Sequence, residues 1–214
     1  MIRRNDELPL AEPCDAIVPH PGRLTESQFE AWCTEDVKAE WVDGEVILMS
    51  PSNYEHVTLD GWLLTILTNY VEEMNLGVVL GPEFMIRLSA PPARRVPDLI
   101  FIAQRRRKLI RQTYFDGPPD LVVEIVSPDS TARDWRDKFI QYEANGVREY
   151  WVFDPAAKRF EAYTLSRGRY IAIKPVAGRV ASRVVKGFFV MNDWLAGARR
   201  PKVGAVLKVL GVRR

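Results

Sequence analysis

The chain has 214 residues, 47% hydrophobic and 27% charged, a soluble globular profile with room for one full core. That excludes a disordered chain, a collagen and a coiled coil, and no apolar run approaches the ~18 residues of a membrane-spanning helix. The net charge of +2 hides an asymmetry: residues 1–103 carry 7 Lys+Arg against 17 Asp+Glu, and residues 104–214 carry 23 against 11. Either the basic half meets an anionic partner or the two halves neutralise each other within one fold.

Residues 1–22 hold four prolines and, where a secretion signal needs its apolar run, acids and prolines; they read as a mobile arm. Cys14 and Cys33 are too few for a disulfide framework or a four-cysteine zinc site, so a reduced, cytoplasmic setting is expected. Thr25-Glu26-Ser27-Gln28 resembles a capping box opening a short helix. Val37 to Ser50 reads as a hairpin about Asp43-Gly44, a pair suited to a type I′ turn. Residues 52–75 carry a broad apolar stripe at helical spacing, with Gly77 as the C-terminal cap.

Two short strands are expected near 78–81 and 83–88, followed by a break at Pro91-Pro92. Val96–Ile102 and Leu121–Ser127 are compact apolar runs, as in strands buried on both faces. Gln104–Arg111 suggests a short helix, and a Gly-Pro-Pro turn follows. Ser127-Pro128 and the next three residues read as a turn and cap. Asp134 to Asn145 is a helix ending at Gly146. Val147–Phe153 is a third buried strand, and Phe160–Leu165 with Tyr170–Pro175 form a hairpin about Arg167-Gly168. The tail 199–214 holds six Lys/Arg and no acid, suited to a second anionic contact or to solubility alone. The order predicts one domain over 23–198, α/β or mixed α+β, with a central sheet.

Two acids interrupt the apolar strands: Asp98 in VPDLIFI and Glu124 in LVVEIVSP. A buried carboxylate needs a paired charge, a shifted pKa or a metal. Two on neighbouring strands repel each other unless a cation lies between them, and Mg²⁺ uses one or two carboxylates while leaving room for phosphate oxygens. Lys138 lies 14 residues after Glu124, on the helix that follows its strand and on one face with Asp134. There it could orient a water or stabilise phosphate charge, or simply pair with Asp134 at the surface. Arg105, Arg106, Arg107, Lys108 and Arg111 form either a phosphate-contacting patch or a solvated face.

The stretch PDLVVEIVSPDSTARDWRDKFIQYEANGVREYWVFDP resembles the signature block of the Uma-type family of restriction-endonuclease-like proteins, in the PD-(D/E)XK nuclease superfamily. EWVDGEVILMSPSNYEH and RVPDLIFI resemble its other blocks in the same order, over roughly residues 25–165. The resemblance implies a restriction-endonuclease-like fold, a divalent cation (Mg²⁺, with Mn²⁺ as substitute), and hydrolysis of DNA phosphodiesters by a homodimer. Carried over, Asp98 is the acid of the PD motif and Glu124 that of the (D/E)XK motif, both metal-binding. Val126 stands where the motif keeps its lysine, and Lys138 takes that role from the following helix. Glu45 or Glu40, His56 and Gln141 are further candidates, with Glu45 preferred over Glu40. The missing lysine leaves a second reading open, an inactive DNA-binding or assembly module of the same fold.

Overall fold

The computed structural model describes residues 21–34, 36–126, 133–196 and 200–212. Nearly all of the expected arm, the Ser127–Thr131 turn and the Asp134 side chain lie outside the described set. Helix α1 (Glu26–Trp32) opens on a complete capping box between Thr25 and Gln28. Strands β1 (Ala39–Val42) and β2 (Glu45–Leu48) close about Asp43 and Gly44, both at positive φ, as a type I′ turn demands.

Helix α2 (Tyr54–Glu73) starts at Asn53, whose side chain accepts the His56 N–H. It buries Leu59, Trp62, Leu63, Ile66, Leu67, Tyr70 and Val71. Its end is set by Asn75, which takes the left-handed conformation (φ 51°) that asparagine tolerates. The cap expected of Gly77 is therefore corrected. Gly77 opens β3 (Gly77–Leu80), where an added Cβ would lie 2.1 Å from the Ile102 carbonyl oxygen. Close approach of two strands, not helix termination, requires glycine there.

Strands β4 (Met85–Ser89) and β5 (Pro92–Arg95) pair across Ala90-Pro91, so the break read at the prolines is a tight hairpin. Next come β6 (Leu99–Ala103), a 3₁₀ helix (Gln104–Leu109), β7 (Tyr114–Asp116) and β8 (Leu121–Ile125). A π-helical turn (Arg133–Lys138) runs directly into α3 (Phe139–Asn145), which Gly146 closes at φ 81°. The chain finishes with β9 (Glu149–Asp154), β10 (Arg159–Ser166), β11 (Arg169–Ala172), β12 (Arg179–Ala181), β13 (Phe189–Met191), α4 (Asn192–Ala196) and α5 (Val203–Val209).

The central sheet has the order β11-β10-β9-β8-β6-β3 and is antiparallel except between β8 and β9. A second sheet, β2-β1-β5-β4-β7, and the β12–β13 pair complete the architecture. Alternation along β6 and β8 feeds two cores. Leu99, Phe101, Leu121, Val123 and Ile125 face α2, α5 and the β12–β13 pair. Ile100, Ile102 and Val122 face Ile86, Leu88, Ala93 and Phe115 of the second sheet, with Tyr142 of α3. The fold is thus a mixed α/β arrangement around a mixed sheet, as expected.

The basic C-terminal stretch contains α5, whose Val206 and Leu207, with the following Leu210, are buried in the α2 core. The Trp62 indole donates to the Pro201 carbonyl at 2.9 Å. Lys202 and Lys208 remain exposed. No described helix is long and apolar enough to cross a membrane.

Candidate active site

Strands β6 and β8 run antiparallel with Leu99 opposite Val123. That register carries Asp98, just before β6, to the end of β8 that bears Glu124. One Asp98 oxygen accepts the Ile125 N–H at 2.6 Å, and the other meets His56 Nε2 at 2.9 Å. Glu124 is 3% exposed. It accepts from Lys138 Nζ and from the Tyr142 hydroxyl, each at 2.6 Å. Lys138, Gln141 and Tyr142 lie on one face where the π turn enters α3, three and four residues apart. The helix thus delivers an ammonium and a phenol to one carboxylate.

A second acid completes the network. Glu40 on β1 accepts from Arg95 at 2.7 Å and from the Val96 N–H at 3.0 Å, and lies 3.7 Å from Lys138 Nζ. Arg95 also donates to Gln141 at 2.6 Å. Burial alone would push the Glu40 carboxyl up, but Lys138 and Arg95 hold it down at about 2. Burial opposes charge on His56, yet its bond to Asp98 and that carboxylate's field raise its pKa. Burial, followed by the Glu124 charge, lifts the Tyr142 phenol well above its usual range, so it serves as a donor.

Asp60 joins the cluster unannounced by the sequence reading. It lies one helical turn after His56, and burial and the Asp98 charge push its carboxyl up to about 6. Among the described residues, Asp60 Oδ1 and His56 Nδ1 are buried without a hydrogen-bond partner. The available signal was the i, i+4 spacing of His56 and Asp60 near the start of α2. Arg95 carried a weaker one, a cation two residues before the PD pair. Tyr142, four residues after Lys138, was hidden among aromatics that suit a core.

Other candidates fall elsewhere. Glu45 shares a face with Glu40, because Val42 pairs with Glu45, but it stands at the turn end of edge strand β2. It is exposed there and lies 3.6 Å from Arg23. Glu40 is the hairpin acid that enters the cluster, since β1 is the inner strand beside β5. The basic 3₁₀ segment sits past the opposite end of β6, roughly 17 Å of strand away from Asp98. Arg105 and Arg106 lie 4.0 and 3.3 Å from buried Asp120, and Arg111 lies 3.4 Å from Asp116.

Hard carboxylate oxygens from Asp98, Glu124 and the unsatisfied Asp60 are the donor chemistry of Mg²⁺ or Mn²⁺. No group of three or more His, Cys, Asp or Glu is already arranged to hold a metal among the described residues.

Residues 26–188 match the family described as "Uma2: Putative restriction endonuclease". The fold matches the crystal structure of a putative nuclease belonging to DUF820 from Anabaena variabilis, with a TM-score of 0.69 and 16% identity, over 81% of this chain and 97% of that one. No curated protein matches. The structural likeness establishes the restriction-endonuclease-like fold. Since the matched span runs from α1 through β12 and includes every residue of the cluster from Glu40 to Tyr142, the chain belongs to the Uma2 family of putative restriction endonucleases.

Proposed function

We propose that the protein is a Mg²⁺-dependent endonuclease that hydrolyses DNA phosphodiester bonds, with Mn²⁺ as a substitute. The observation that carries this reading is the meeting of Asp98 and Glu124 at adjoining strand ends, with the Lys138 ammonium on Glu124. Asp98 and Glu124 would hold the cation. When bound, it would neutralise phosphate charge and acidify a water. Lys138 positions that water and stabilises the charge that develops on the phosphate. Glu40 fixes Lys138, and His56 orients Asp98. Cutting both strands calls for two subunits, so a homodimer accompanies this reading.

The test is cleavage of plasmid DNA with Mg²⁺ or Mn²⁺. Wild type nicks or linearises the plasmid, Asp98→Ala abolishes this, and Lys138→Ala reduces it by about 100-fold or more. Equal behaviour of wild type and Asp98→Ala sinks the proposal. A second reading, a non-catalytic DNA-binding module, is favoured by the hydrogen bonds that already engage both carboxylates. It predicts salt-sensitive DNA binding indifferent to metal.

A further inference from the structure

A groove of about 600 Å³ opens at the N-terminal end of α2, within the size range of ligand pockets. Its walls are the first turns of α2, the turn from β9 to β10, and the side chains of Leu195 and Arg200. Two links tie it to Asp98. Tyr54 and Glu55 immediately precede His56, which holds one Asp98 oxygen. Phe153 pairs with Ile125, whose N–H holds the other.

The chemistry of the walls suits a polyanion with flat rings. Tyr54 is 82% exposed, a large aromatic left in water at the rim. Lys158 is exposed and has no ion-pair partner among the described residues. Arg200 donates to the Thr58 hydroxyl at 2.7 Å, which fixes a guanidinium over α2. The helix N-terminus adds partial positive charge on the same side. Arg159 is partly committed, donating to Glu161 at 2.8 Å. Glu55 and Asp154 oppose an anion, although Asp154 accepts the Ala157 N–H at 2.9 Å. In the Arg105–Arg111 segment, at the far end of the sheet, Arg105, Arg106 and Arg111 are paired with acids, while Arg107 and Lys108 are exposed.

Building on the nuclease reading, we propose that this groove, and not the Arg105–Arg111 segment, holds the DNA strand leading away from the scissile phosphate. Backbone phosphates lie against Lys158 and Arg200, and an unpaired base stacks on Tyr54.

The experiment measures binding of the full chain to a short labelled DNA duplex and to its single strand in EDTA, across a salt series. Lys158→Glu, alone and with Arg200→Gln, weakens binding about tenfold or more, and each lost contact lowers the log–log salt slope by about 0.9 for duplex. Tyr54→Ala weakens single-strand binding more than duplex binding. Arg107→Glu with Lys108→Glu changes affinity less than about twofold. Because Lys158 is exposed, its variant melts with wild type and isolates the charge effect.

Loss of affinity in the Arg107/Lys108 variant with groove variants unaffected overturns the proposal. So does a wild type that binds neither DNA form. Metal-dependent cleavage together with unaltered groove-variant binding sinks the groove alone. Groove-dependent binding without any cleavage sinks the nuclease reading and supports the groove.

Discussion

Asp60 is the residue in the cluster whose charge is least compensated. Its carboxyl sits at about 6 in the fold, raised by burial and by Asp98, against ~3.9 in an unfolded chain. As pH rises through that window, the unfolded chain releases a proton that the folded chain retains, so stability falls. Asp60→Asn should stabilise the metal-free protein by about 1–2 kcal/mol at pH 7, with the difference gone near pH 4. Glu40 has the opposite sign. Its folded value of about 2 means its stabilisation is full above the usual carboxylate range and is lost as pH falls toward 2. Glu40→Gln should flatten that acid limb. Urea unfolding across pH measures both, and an Asp60→Asn protein no more stable than wild type at pH 7 contradicts this account. Asp98 and Glu124 stood out in the sequence because each is an acid set in an apolar run, although Asp98 lies just before its strand and only Glu124 within one. Asp60 and Tyr142 were not, because spacing along a helix does not say which polar group its rotation turns inward.

Elements were legible where local chemistry alone decides them. The Thr25 capping box, the Asp43-Gly44 and Arg167-Gly168 turns and the Gly146 cap all stand as read. Elements set by tertiary contacts were not. β5 has the sequence PARR, and its buried Arg94 and Arg95 are neutralised by acids from elsewhere in the chain, Arg94 by Glu26 and Glu30 and Arg95 by Glu40. β7 spans three residues and pairs with β4 from far along the chain. α5 is too short for periodicity to show against its cations, although its apolar residues close the α2 core. Leu207→Ala should therefore cost about 2–4 kcal/mol, while Lys208→Gln stays within about 0.5 kcal/mol. Gly77→Ala should also destabilise the protein, since its Cβ would force β3 away from β6. Thermal melts rank the three, and an unchanged Leu207→Ala midpoint would mean that α5 is not docked in solution.

The charge asymmetry between the halves is a property of sequence order rather than of separate bodies. β3 and β6 from the acidic half share one sheet with β8 through β11 from the basic half, joined by the β6–β8 pairing. Lys138 and Glu40, and Arg87 and Asp116, bring opposite charges together across the division. The same strands bind the two cores. Val122 belongs to the core beneath the second sheet, and its neighbour Val123 to the core beneath α2. Neither core can open without stripping one face of β8, so both should unfold together even though the chain is longer than most two-state domains. Calorimetry should show one transition over the whole structured region. Val122→Ala and Val123→Ala should each lower that single midpoint, because each removes methyl groups from a fully packed site on the shared strand. Two resolved transitions, one moved by each variant, would show instead that the sheets fold as independent units and that the acidic cluster spans a boundary between them.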